Sequence, residues 1–100
     1  MFAVDQAMVQ VIENRADIDG HITAIEADPA RPEHRVVRIN VTAAASVEGY
    51  ANLFSGAAGK QLEAVFPMEA TKQMRVGDKV RCRVRRAGPS TVIGEQCSDP

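Results

Sequence analysis

Lys79, Arg81, Arg83 and Arg85 alternate with Val80, Cys82 and Val84. A strict period of two is the signature of a strand with one buried face. The apolar set would point into a core, and the four cations would stand together outside. Like charges at this spacing repel, so solvent, acidic residues from elsewhere in the chain or an anionic partner must relieve them. Lysine and arginine on such a face have the chemistry to contact phosphate or carboxylate groups. Arg38 belongs to a second alternating run, and Tyr50 and Phe54 lie in a stretch rich in glycine and alanine. Cations beside rings that can stack on bases are what single-stranded nucleic acid requires. These seven residues are therefore the candidate nucleic-acid-binding set. The competing reading of the same cations is a solvated or ion-paired face, which contributes little energy and discourages edge-to-edge aggregation.

Other chemistry finds little support. His21 and His34 have no companion at metal-ligand spacing, so no metal site is expected. Ser46, Ser55, Ser90 and Ser98 lack the setting of an activated nucleophile. The run from Ser55 to Lys60 ends in Gly-Lys like a phosphate-binding loop, but Gln61 stands where serine or threonine is needed and a strand follows. Asp17 and Asp19 could hold a cation, although turn chemistry accounts for them. The sequence points to no enzyme and no cofactor.

The chain has 100 residues and a net charge of −1, within the size of one domain. Its charge is unevenly spread. Asp5, Glu13, Asp17, Asp19, Glu26 and Asp28 crowd the first thirty residues against Arg15 alone. Lys72, Arg75, Lys79, Arg81, Arg83, Arg85 and Arg86 crowd residues 70–90 against Asp78 alone. That asymmetry can be satisfied across the fold, by a partner, or head to tail between copies. No apolar run is long enough to span a membrane, and no leader segment is expected. Two cysteines, Cys82 and Cys97, are too few for a disulfide framework. With residues 84 and 93 opposed, Cys82 would face Glu95 and Cys97 would face Val80, so free thiols and a cytoplasmic location are expected.

Several elements must position these residues. Residues 4–14 fit a helix or a strand, with β-branched residues favouring strand. Residues 17–20 read as a turn, and residues 20–26 as a strand with Ile22 and Ala24 on one face. Pro29 and Pro32 fix a loop. Residues 35–42 form a strand with Val37, Ile39 and Val41 inward. Residues 43–60 make a hairpin-like excursion anchored by Tyr50, Leu53 and Phe54. Residues 60–66 follow as a strand with Leu62, Ala64 and Phe66 inward. Pro67 opens a short helical segment to residue 73. Val76-Gly77-Asp78 turns into the basic strand, and Gly88-Pro89 turns back into a last strand over residues 91–96.

Strand, strand, strand, short helix, strand, strand resembles the order of an OB-fold. Phe66-Pro67 leading to Gly77-Asp78-Lys79-Val80 is similar to the second half of S1-type RNA-binding domains. Gly20-His21-Ile22-Thr23-Ala24-Ile25 looks like the start of TOBE modules, which bind small oxyanions. The expected fold is all-β, a five- or six-stranded OB-like Greek-key barrel with one short helix between the third strand and the basic strand. Residues 1–16 form an N-terminal extension, 17–97 the barrel and 98–100 a tail. The expected function is non-enzymatic nucleic-acid binding through the basic face. The alternatives are an acidic protein surface as partner or a homo-oligomer, and then small-oxyanion binding.

Overall fold

The computed structural model describes residues 12–100. The strand-or-helix reading of residues 4–14 therefore falls almost wholly outside the described residues. The chain is all-β, with strands β1 (Ala16–Ala27), β2 (His34–Ser46), β3 (Gln61–Pro67), β4 (Lys79–Arg86) and β5 (Val92–Ser98). A 3-10 helix, Met68–Thr71, links β3 to β4. The strands form one ring-like sheet in the order β1-β2-β3-β5-β4, with β4 returning to β1. All pairings are antiparallel except β3 with β5, which meet in parallel at Val65 and Ile93.

The alternation read from sequence builds the core. Val37, Ile39 and Val41 of β2, Ala64 and Phe66 of β3, and Val80, Cys82 and Val84 of β4 are all buried. Ile18 and Ile22 of β1 join them, and Phe54 from the β2–β3 loop lies in the same cluster. Each fully buried aliphatic or aromatic side chain stabilises the fold by about 1.5–3 kcal/mol.

Three one-residue bulges shift the phase of this alternation. Thr42 is skipped between the pairs Gly20–Val41 and Asp19–Ala43, so Ala44 rather than Ala43 packs on the core. Thr23 is skipped between Ile22–Ile39 and Ala24–Arg38. Ile25 therefore meets the core opposite Val37, where the sequence reading had placed Ala24. Glu95 is skipped between Val84–Gly94 and Arg83–Gln96. That third bulge brings Cys97 directly opposite Cys82, and the two form a disulfide. The expectation of free thiols is thus overturned, along with its argument for a reducing cytoplasm. A bulge inserts one residue and reverses the phase beyond it.

Two further expectations are corrected. Residues 17–20 belong to β1 and not to a turn. Ile18 is fully buried and the flanking aspartates point out, so burial and cross-strand pairing override their turn preference. Pro67 ends β3, and the helical segment after it is one 3-10 turn that stops at Thr71. Its Thr71 Oγ1 donates to the Met68 carbonyl at 2.8 Å, and Thr71 is buried. The turn into β4 is built as its residues demand. Gly77 has φ of 97°, and the Asp78 carboxylate accepts from the Arg75 N–H at 2.9 Å. The Gly77 N–H donates to the Ile22 carbonyl and Ile22 N–H to the Asp78 carbonyl, tying the turn to β1.

β5 can lie beside β3 because of one missing side chain. The ring of Phe66 occupies the space where a Cβ on residue 94 would stand. Gly94→Ala is expected to lower stability by about 1–3 kcal/mol or more through overpacking, read by urea denaturation. An unchanged midpoint would show that Phe66 yields freely. The disulfide closes a loop between cysteines 15 positions apart, and its reduction is expected to remove about 3 kcal/mol. Alkylation of the denatured, unreduced protein should label no cysteine, and two labelled thiols would contradict the bridge.

Candidate interaction face: the basic strand and the loop end

The outward residues of β4 stand beside the outward residues of β1. Their register opposes Arg83 to Asp17, Arg81 to Asp19 and Lys79 to His21. Arg81 donates to Asp19 through Nε at 2.7 Å and Nη2 at 3.1 Å. Arg83 donates to Asp17 through Nε at 2.9 Å and Nη2 at 3.2 Å. Both are two-pronged contacts, the geometry in which a planar guanidinium fits a carboxylate best. Arg85 reaches Glu95 at 3.3 Å, and Arg15 holds the other oxygen of Glu95 at 2.9 Å. Glu95, the extra residue of the bulge, is thus the carboxylate shared by these two arginines. Two of these pairs, Asp17 with Arg83 and Asp19 with Arg81, join the acidic first thirty residues to the basic run of residues 70–90, so that asymmetry is met in part within the fold.

Arg38 lies on the outer face of β2, away from the β4 row, and has its own partners. Its Nε donates to Glu63 at 2.6 Å, and its Nη2 lies 3.3 Å from Glu26. These contacts hold the Arg38 guanidinium above its ordinary pKa, Glu63 contributing most. Hydrogen bonding to Asp19 and Asp17 likewise raises Arg81 and Arg83. Lys79 is exposed and has no ion-pair partner among the described residues.

Tyr50 and Phe54 lie at the other end of β4, in the loop between β2 and β3. This loop folds back over the end of the ring. The Asn52 carboxamide accepts from the Phe54 N–H at 2.8 Å, and the Ala57 N–H donates to the Phe54 carbonyl at 2.9 Å. Gly59 N–H then donates to the Val41 carbonyl at 2.8 Å. These bonds seat Phe54, 2% exposed, in the core. The Arg86 guanidinium lies 5.2 Å from its ring centre, and that of Arg15 lies 4.5 Å over Tyr50. The structure therefore separates the seven sequence-selected residues into three places: the β4 row, Arg38 on β2–β3, and the two rings at the loop end.

Sequence reasoning rejects the Gly-Lys at Lys60 as a phosphate loop and counts Arg86 only in the basic run, so neither stands among the candidate site residues. Together with Leu53, Phe54, Ala57 and Leu62 these two cations line a cleft of about 280 Å³ between the folded loop and the rim of the ring. Neither cation has an ion-pair partner among the described residues. No signal in the sequence marks them as a pair, because their proximity depends on the fold of the loop. Asn14 is a further residue without a sequence signal. It is 4% exposed, and its side chain accepts from the Arg86 N–H at 2.7 Å and donates to the Arg86 carbonyl at 3.0 Å.

Among the described residues, no three of His, Cys, Asp and Glu gather as a metal site would need. None of the helices among them is long and apolar enough to cross a membrane. No family model matches the chain, and no curated protein or solved structure matches it either.

The ion pairs carry a pH signature. Hydrogen bonds from Arg81 and Arg15 hold Asp19 and Glu95 below the usual carboxylate range, and one from Arg31 does the same for the buried Asp28. A depressed folded pKa stabilises the protein above the unfolded value, near ~4, and that contribution disappears as pH falls through the folded value. Stability is expected to be flat near neutrality and to fall below about pH 4, followed by urea midpoints at several pH values. Asp19→Asn should narrow the difference between about pH 7 and pH 3. An identical acid loss in the variant would remove Asp19 as a contributor.

Proposed function

We propose that this chain is an OB-like Greek-key barrel acting as a non-enzymatic protein-binding module. It docks an acidic and apolar segment of a partner protein on its loop end. The order β1-β2-β3-β5-β4 with β3 parallel to β5, and a short helical turn before β4, support the OB-like assignment. The observation that carries the docking site is the contrast between the two basic regions. Arg81, Arg83 and Arg85 are engaged by carboxylates, whereas Lys60 and Arg86 share a cleft with Leu53, Leu62 and Gln61 and have no such partner among the described residues.

The same end of the molecule shows apolar side chains to solvent. Ile12, Tyr50 and Leu53 are 62%, 37% and 38% exposed. Apolar surface beside free cations fits a segment that mixes carboxylate and apolar side chains. Nucleic acid fits less well. A base needs an open aromatic face, but Phe54 is buried beneath Arg86, and one face of Tyr50 is covered by Arg15. A phosphate at the β4 row would have to displace carboxylates from two-pronged contacts. The disulfide supports a working compartment in which thiols are oxidised.

Fluorescence anisotropy tests this reading with labelled peptides rich in Glu and Leu, compared with single-stranded DNA, duplex DNA and RNA at about 50 and 200 mM salt. Peptide binding that largely survives the higher salt and weakens with Leu53→Asp is the expected result. Nucleic-acid binding that collapses with salt and with joint Arg81→Glu and Arg83→Glu would return the function to the basic strand. No binding to any probe would overturn the docking assignment.

A further inference from the structure

We infer that the cleft between Lys60 and Arg86 is a carboxylate subsite. It seats one acidic side chain of the partner while a neighbouring apolar side chain lies against Leu53 and Leu62. This inference rests on the reading of the loop end as the docking surface and names the group that the surface selects.

The placement of the two cations follows from topology. Lys60 directly precedes β3 and Arg86 ends β4, and in the ring the start of β5 lies between these strands. Gly59, with φ of 85°, turns the chain so that β3 begins at the rim. Arg86 is also fixed before any ligand arrives. The buried Asn14 amide binds both its backbone N–H and its carbonyl, and its guanidinium rests over the Phe54 ring. A side chain already ordered loses less freedom on binding, and a planar guanidinium matches a carboxylate in two-pronged fashion. No acidic residue lines the cleft, so an entering carboxylate meets no like charge. The volume of about 280 Å³ lies at the small end of ligand clefts, which suits one or two side chains. Leu53, Leu62 and Ala57 offer the apolar part of that volume.

Arg86 differs in this respect from Arg81, Arg83 and Arg85 of its own strand. Those three point along the outer face to Asp19, Asp17 and Glu95. Arg86 is half-buried at the strand end and faces the loop.

The test uses an acetylated and amidated peptide carrying one Glu-Leu pair, so that its only carboxylate is the side chain. Lys60→Gln and Arg86→Gln should each weaken its binding about tenfold or more. A Gln-for-Glu peptide should lose as much, and combining it with either variant should add little further loss. Arg83→Gln, whose parent residue is engaged by Asp17, should bind like the wild type. Melting curves of each variant establish that it is folded. If the parent binds the Glu-Leu peptide and both cation variants bind it equally well, the subsite is wrong while the docking surface stands. If the parent binds neither peptide, the docking reading fails and the subsite with it. If millimolar inorganic phosphate displaces the peptide completely, the cleft is a general anion site and the carboxylate assignment is overturned.

Discussion

The structure depends on the approach of β5 to β3. These strands are the only parallel neighbours in the ring, and they meet at Val65 and Ile93. The approach is possible because Gly94 offers no Cβ to the Phe66 ring, which fills that space from the core side. Phe66 is fully buried and is among the largest side chains of the core. Were β5 held further out, Phe66 would lose a packing surface and the ring would open between β3 and β5. β4 would keep its pairings with β1 and β5, and β5 would be left as an open edge. Closure and core packing are thus one event here, produced by a large residue on one strand and none on its neighbour.

The bulges decide what that closed ring shows to solvent. A regular β5 would carry Cys97 outward and turn Gln96 toward the core, where its carboxamide would lack partners. One extra residue at Glu95 reverses this and directs Cys97 to Cys82, while Glu95 itself stays outside between Arg15 and Arg85. Covalent stapling and charge compensation therefore lie on the same strand pair. At Thr42 and Thr23 the irregularities do the same for Ala44 and Ile25, each of which gains contact with the core. The hydroxyls of both threonines donate to backbone carbonyls of the adjoining strand, Thr42 to Asp19 and Thr23 to Arg38.

Much of this fold was legible wherever alternation ran unbroken. Val37, Ile39 and Val41, and Val80, Cys82 and Val84, are inward as their spacing requires. Reading failed where a bulge intervened, at Ala24 and at the cysteines, because a period-two pattern contains no mark for a residue that pairs with nothing. It failed also at Asp17 and Asp19, whose local preference for turns is weaker than the burial of Ile18 and the arginines waiting on β4. The site was less legible than the fold. The basic row was visible in sequence, but its carboxylate partners are more than sixty positions away along the chain. Lys60 and Arg86 come together only through the folded loop, and Asn14 acts only through the strand end it clamps.

The paired row on β1 and β4 has a kinetic consequence. Each arginine there sits within about 3 Å of a carboxylate, so the face presents small dipoles rather than a band of positive charge. Dipoles of this kind fade within the screening distance, about 8 Å at physiological salt. The chain as a whole carries a net charge of only −1. The paired arginines therefore exert little pull on an anion at a distance. Arg81, Arg83 and Arg85 thus act on the strands beside them, and not on the frequency with which other molecules arrive.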